Sequence, residues 1–188
     1  MDFIKKIGRI FSIILFSAKL VGVPMQNEKT NRPIDYEALA DEVTYLFIRE
    51  VDEEFGFKCF STGGSMPSDI EDLNVGFMAY RKATIEEARH LEVVLMEKFL
   101  NIINKQKKVR PFLRDYPFTK DRICVSISFY DKKDYPQFED SISRVFSVRG
   151  NIIYKLFNPE NCSSAVLAEE KYEEAYQKVR VKLPESSL

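Results

Sequence analysis

A chain of 188 residues, 45% hydrophobic and 30% charged, has the size and composition of one globular domain with a terminal extension. Its formal net charge of −1 supplies no basic field for phosphate contacts and argues against a nucleic-acid partner. Three cysteines, Cys59, Cys124 and Cys162, form no C-x-x-C pair and His90 is the single histidine, so neither a disulfide framework nor a metal or cofactor centre is expected.

Residues 1–24 differ in composition from the rest. Lys5, Lys6 and Arg9 precede the apolar run 10–18, Lys19 interrupts, and Leu20 to Pro24 follow. A positive start, an apolar stretch of about 7–15 residues and small residues beyond it are the parts of a secretory signal. The run is short of the roughly 20 apolar residues that span a bilayer. As a helix, the segment would set Lys5, Arg9, Ser12 and Lys19 opposite Phe3, Ile7, Ile10 and Ile14, which suits a membrane surface. Both readings place the protein outside the cytoplasm or at a membrane; a start at Met25 would leave it cytoplasmic. Residues 25–33 are a polar linker.

One α+β domain is expected over residues 34–183, followed by a tail, 184–188. Asp35 is a candidate N-cap, and Tyr36, Leu39, Ala40, Val43, Phe47 and Val51 recur at helical steps until Gly56 stops them. Residues 57–61 read as a short strand and Gly63-Gly64-Ser65-Met66-Pro67 as a turn. Leu73, Val75, Phe77 and Ala79 then alternate with Asn74, Gly76, Met78 and Tyr80, the period of a half-buried strand. Thr84 with Glu87 forms a capping box that opens a helix over residues 85–107.

The segment Arg110-Pro111-Phe112-Leu113-Arg114-Asp115-Tyr116-Pro117-Phe118 cannot continue that helix and reads as a stiff loop. Alternation marks a strand over 123–130, and a charged connection spans 131–140. Residues 142–148 and 152–157 flank Arg149-Gly150-Asn151 as a hairpin. Ala165, Ala168, Tyr172, Ala175, Tyr176 and Val179 read as a last amphipathic helix. The order α-β-β-α-β-β-β-α predicts a mainly antiparallel sheet of about five strands with helices packed on it.

The run Gly63 to Pro67, the stretch Tyr80-Arg81-Lys82-Ala83-Thr84-Ile85-Glu86-Glu87-Ala88-Arg89 and the Arg110 to Phe118 loop together resemble an uncharacterised family of bacterial proteins, commonly exported. The likeness covers roughly residues 34–183. It implies a single exported domain and carries no activity or catalytic residue.

No residues pattern as a catalytic constellation. His90 lies opposite the apolar arc of its helix, and Cys124 and Cys162 lack an evident base. A Cys59 to Cys124 bridge is conceivable in an exported protein. The candidate ligand-binding residues are Gly63 and Gly64, whose amides could face an anion, and Arg110, Arg114, Asp115 and Tyr116 in the stiff loop. Arg110 and Arg114 have a competing structural use, which is to cap the carbonyls that end the preceding helix or to pair with the first helix. The chain thus reads as a non-enzymatic domain that binds another protein, with a small anionic ligand as the alternative. A hydrolase or transferase would need Asp69, Glu71 or Asp115 to meet in one pocket.

Overall fold

The computed structural model describes residues 35–131, 141–158, 160 and 163–181. By compactness the chain divides into residues 1–33 and residues 34–188, and all that follows concerns the second unit. The N-terminal segment and linker, most of the charged connection, Cys162 and the tail lie outside the described residues.

Helix α1 (Tyr36–Phe55) begins where the Ala38 amide donates to the Asp35 carboxylate at 3.0 Å. It ends at Gly56, which takes φ +68° and donates its amide to the Asp52 carbonyl. Helix α2 (Ile85–Lys105) opens on the anticipated capping box: the Glu87 amide donates to Thr84 Oγ1 at 3.2 Å and the Thr84 amide to the Glu87 carboxylate at 2.9 Å. It stops at Lys105, two residues short of the expected end, because Gln106 turns to extended geometry.

Six strands form one sheet in sequence order: β1 (Lys58–Ser65), β2 (Asp72–Ala79), β3 (Ile123–Phe129), β4 (Ile142–Val148), β5 (Asn151–Asn158) and β6 (Ser163–Lys171). All neighbours are antiparallel except β2 and β3, which run parallel because α2 carries the chain back between them. Helices α1, α2 and α3 (Tyr172–Arg180) pack against the sheet, with α2 in contact with both of the others. Leu73, Val75 and Phe77 of β2 and Val125, Ile127 and Phe129 of β3 are buried in one core with Phe47 of α1 and Phe99 of α2. Phe47 stacks on Phe99 at 4.3 Å between ring centres and meets Phe77 edge-on at 5.5 Å. Complete burial of each such ring contributes about 1.5–3 kcal/mol.

The α+β class and the mainly antiparallel sheet are as anticipated; two local readings are corrected. Gly63, Gly64 and Ser65 do not turn the chain. They extend β1 and pair with Asn74, Leu73 and Asp72, so the turn falls at residues 66–71. Residues 163–171 form a sixth strand rather than the start of the last helix. Ala165, Ala168, Glu169, Glu170 and Lys171 favour a helix by intrinsic propensity, but β5 offers them a full antiparallel ladder. As an edge strand, β6 is largely exposed, and only Ala168 and Glu170 near its end alternate with exposed neighbours. Helix α3 takes up only the later part of the expected pattern, burying Tyr172, Ala175 and Val179.

Both edge strands carry a bulge. Phe60 lies between the pairs Cys59–Phe77 and Ser61–Gly76, and Leu167 between Tyr154–Ala168 and Lys155–Val166. Each bulge leaves a large apolar side chain exposed and breaks the flat edge that another chain would need for pairing. Register also disposes of the Cys59 to Cys124 bridge. Cys124 pairs with Asn74, which pairs with Gly63, so Cys59 stands four residues further along β1 and two strands away. At about 3.3 Å per residue and 4.8 Å per strand this exceeds the reach of a disulfide, and both thiols are free.

Candidate functional site

The site lies where β2 and β3 begin. The turn between β1 and β2 is sewn to the Arg110 to Phe118 loop by backbone. The Ile70 amide donates to the Phe112 carbonyl at 2.7 Å, the Arg114 amide donates to the Ile70 carbonyl at 3.0 Å, and Ile70 and Leu113 form a parallel bridge. Side chains reinforce this seam. Arg114 reaches Asp69 at 2.8 Å and Glu71 at 2.5 Å, while Ser65 Oγ donates to Glu71 at 3.1 Å. Arg122, in a single 3-10 turn ahead of β3, holds Asp115 at 2.8 Å and lies 3.7 Å from Glu71 and 3.9 Å from Asp72.

Beside this network opens a cleft of about 670 Å³, walled by Gly64, Asp72 and Asn74 on one side and by Asp115, Asp121 and Arg122 on another. Its far rim is the β4–β5 hairpin, which turns on Arg149 (φ +46°) and Gly150 (φ +72°) between the paired residues Val148 and Asn151. Positive φ at both turn positions matches the right-handed twist of the strands, although Asn or Gly is the usual occupant where Arg149 stands. Gly150 packs so close to Asp121 that a β-carbon there would come within 2.6 Å of Oδ1.

The candidates named from sequence separate into two groups. Gly64 and Asp115 line the cleft. Gly63 is a neighbour in β1 with open space around it. Arg110 serves the helix end: its Nε and Nη2 donate to the Asn104 carbonyl at 3.1 and 2.9 Å, and its guanidinium sits 4.9 Å from the centre of the exposed Tyr116 ring. Arg114 is held in the network behind the cleft. The side chains that sequence reading missed are Asp72, Asp121, Arg122 and Arg149. The available signals were a charged pair immediately ahead of a strand, at Asp121-Arg122, and an arginine at a turn position that demands positive φ.

Four carboxylates, of Glu71, Asp72, Asp115 and Asp121, and two guanidiniums, of Arg122 and Arg149, face the cleft. Glu71 and Asp115 do converge, but each is tied to an arginine, and exposed His90 is not in the lining. Cys124 is, yet burial pushes its thiol up to about 11, leaving little thiolate for nucleophilic chemistry. Among the described residues no group of three His, Cys, Asp or Glu side chains is arranged to hold a metal ion.

A second set of polar groups is buried between α2 and the sheet. Glu170 of β6 accepts from Arg89 at 2.5 Å, Tyr154 at 2.6 Å and Lys178 at 2.5 Å. Burial would raise that carboxyl, but the hydrogen bonds from Lys178, Tyr154 and Arg89 together outweigh it and hold it below its ordinary value. Tyr172 ties α3 to Glu97 of α2 by a hydroxyl–carboxylate hydrogen bond. Glu92, one turn beyond Ala88 on α2, is the exception. It is fully buried, and among the described residues neither carboxyl oxygen meets a partner in hydrogen-bonding geometry. Burial pushes it up to about 8, against smaller opposing pulls from Ser147 and Arg144.

Comparison with protein families, curated proteins and solved structures gives no match to this chain. Fold and site together define it as a mixed-sheet α+β domain with a charged cleft at the amino ends of its parallel strand pair.

Proposed function

We propose that the chain is a non-enzymatic interaction domain, exported or held at a membrane surface through residues 1–24, whose cleft receives a segment of another protein. The observation that carries this reading is the cleft itself. It is walled by strand ends and by charged side chains fixed to one another, as Glu71 is to Arg114 and Asp115 to Arg122. Its size falls in the range that admits a drug-sized ligand or a few residues of peptide. The bulged edges favour this mode over strand addition, which needs a regular edge.

The small-anion alternative fares worse. Arg110 and Arg114 are engaged elsewhere, and four carboxylates against two guanidiniums give the lining the wrong sign for a free anion. The test is site-specific photo-cross-linking from exposed Thr119, on the cleft wall, in the full chain in cells. A discrete protein adduct that disappears in Asp72→Lys and in Arg149→Glu supports the reading. Adducts indifferent to both substitutions overturn it. For the export part, N-terminal sequencing and fractionation decide: an intact chain starting at Met1 in the cytosol sinks it.

A further inference from the structure

Once the arginine-bound carboxylates are set aside, the charges facing the cleft do not balance. Glu71 shares Arg114, at 2.5 Å, with Asp69, and Asp115 is paired with Arg122 at 2.8 Å. Three charged groups are left. Asp72 has only Arg122 Nη1, at 3.9 Å, and is 40% exposed. Asp121 makes no ion pair with any described residue, and neither does Arg149. These last two are near neighbours, because the Gly150 backbone packs directly on the Asp121 carboxylate.

Opposite charges this close on a surface would ordinarily close into a pair. Here the hairpin fixes Arg149 in the left-handed region, and its guanidinium stays more than 4.0 Å from the Asp121 carboxylate. Asp72, held only at 3.9 Å by Arg122, Asp121 on the facing wall and the Arg149 guanidinium on the rim form a template for a ligand carrying both signs. A purely anionic ligand would face Asp72 and Asp121, and a purely cationic one would leave Arg149 unused.

We propose that the cleft recognises an ampholytic peptide segment, with a lysine or arginine seated between Asp72 and Asp121 and a neighbouring side-chain carboxylate taken by Arg149. This rests on the cleft being the binding surface. An arginine fork suits planar, two-point capture of a carboxylate, and the stiff two-residue turn that carries it loses little freedom on binding. Asp72 and Asp121 come from two adjacent strand ends, so the cationic subsite is equally preformed.

The experiment uses three capped tetrapeptides, Ac-Gly-Lys-Asp-Gly-NH2, Ac-Gly-Lys-Asn-Gly-NH2 and Ac-Gly-Gln-Asp-Gly-NH2, titrated into the full chain while amide shifts of Asp121, Arg149 and Gly150 are followed by NMR. The Lys-Asp peptide is expected to bind about threefold to tenfold more tightly than either half-charged peptide, the range of one or two exposed charge pairs. Arg149→Gln should erase the preference for Asp over Asn and keep that for Lys over Gln; Asp121→Asn should do the reverse. Equal affinities for all three peptides, or shifts centred elsewhere, overturn the ampholyte proposal. If that happens while Asp72→Lys still abolishes the photo-adduct from Thr119, the cleft stands as the binding surface and only its ligand class is wrong. If the adduct persists as well, both fall.

Discussion

Arg114 grips Asp69 with two nitrogens, Nε at 3.1 Å and Nη2 at 2.8 Å, and so locks the loop after α2 to the turn between β1 and β2. Arg110 closes the other end of the same loop on the Asn104 carbonyl. The two arginines that looked most like ligand groups in the sequence therefore hold the loop that carries Asp115 to the cleft. Arg110→Ala should cost about 1 kcal/mol, the worth of a charge-assisted hydrogen bond at a half-exposed helix end. Arg114→Ala should lower the melting temperature less and speed exchange of the Ile70 and Arg114 amides. Thermal melts with hydrogen exchange check this, and loss of peptide binding in either variant without a change in stability would return them to the ligand-binding role.

Much of the fold was legible because it obeys single-residue rules. Asp35, Gly56, Thr84 and Glu87 fix helix ends by local chemistry. The apolar residues that alternate along Leu73 to Ala79 and Ile123 to Phe129 are buried in the core, although Ser126 and Ser128 on the expected polar face of β3 are buried as well. Strand β6 was hidden because its exposed residues follow the pairing offered by β5 and not a pattern of their own. The cleft was hidden for a related reason. Asp72, Arg122 and Arg149 are distant in sequence, and the register of β2, β3 and β4 brings them to one mouth. Arg110 was open to two readings because a chelating arginine and a helix-capping arginine have the same sequence signature, and its bonds to the Asn104 carbonyl are those of the capping one.

Gly63 and Gly64 are adjacent in β1 and differ in the room around them. A β-carbon on Gly64 would lie 2.4 Å from the Asp72 carbonyl oxygen, which is backbone and cannot step aside, whereas nothing stands within 4 Å of one on Gly63. Gly64→Ala should therefore destabilise by about 1–3 kcal/mol through a forced shift of the β1–β2 pair. Gly63→Ala should be neutral or stabilise by up to about 1 kcal/mol, since alanine restricts the unfolded chain more than glycine does. Chemical denaturation of both variants makes the comparison, and equal losses would show that the pair acts as one flexible unit.

Neither described thiol is set up for nucleophilic chemistry. Burial raises Cys59 and pushes Cys124 to about 11. At pH 8 the Cys124 thiolate is then a minority of about one in a thousand. Peptide-resolved alkylation of the native chain should modify Cys124 far more slowly than a free cysteine, with rates rising tenfold per pH step up to about 11. Fast labelling at neutral pH would reopen a catalytic role at the cleft wall.

Glu92 makes the sharpest stability prediction, because its cost to the fold depends on pH in one direction. The groups around it are Ser147 and Arg144 of β4, Cys124 of β3 and Tyr154 of β5; Ser147 and Arg144 favour its charged form but do not offset complete burial. Its folded value of about 8 lies above the ordinary 4.5, so the folded chain holds a proton that the unfolded chain releases. The contribution of the neutral acid is fully present below pH 4.5, erodes as pH rises from there to 8, and is flat beyond. Glu92→Gln removes the ionisation while keeping the shape. The variant should match the parent near pH 4 and exceed it above pH 8 by at most about 5 kcal/mol, with part of that lost to relaxation around the charge. Urea unfolding of both chains from pH 4 to 9 reads the difference. Parallel profiles would mean that Glu92 reaches water or a cation in the folded protein and is not the isolated neutral acid that its burial dictates.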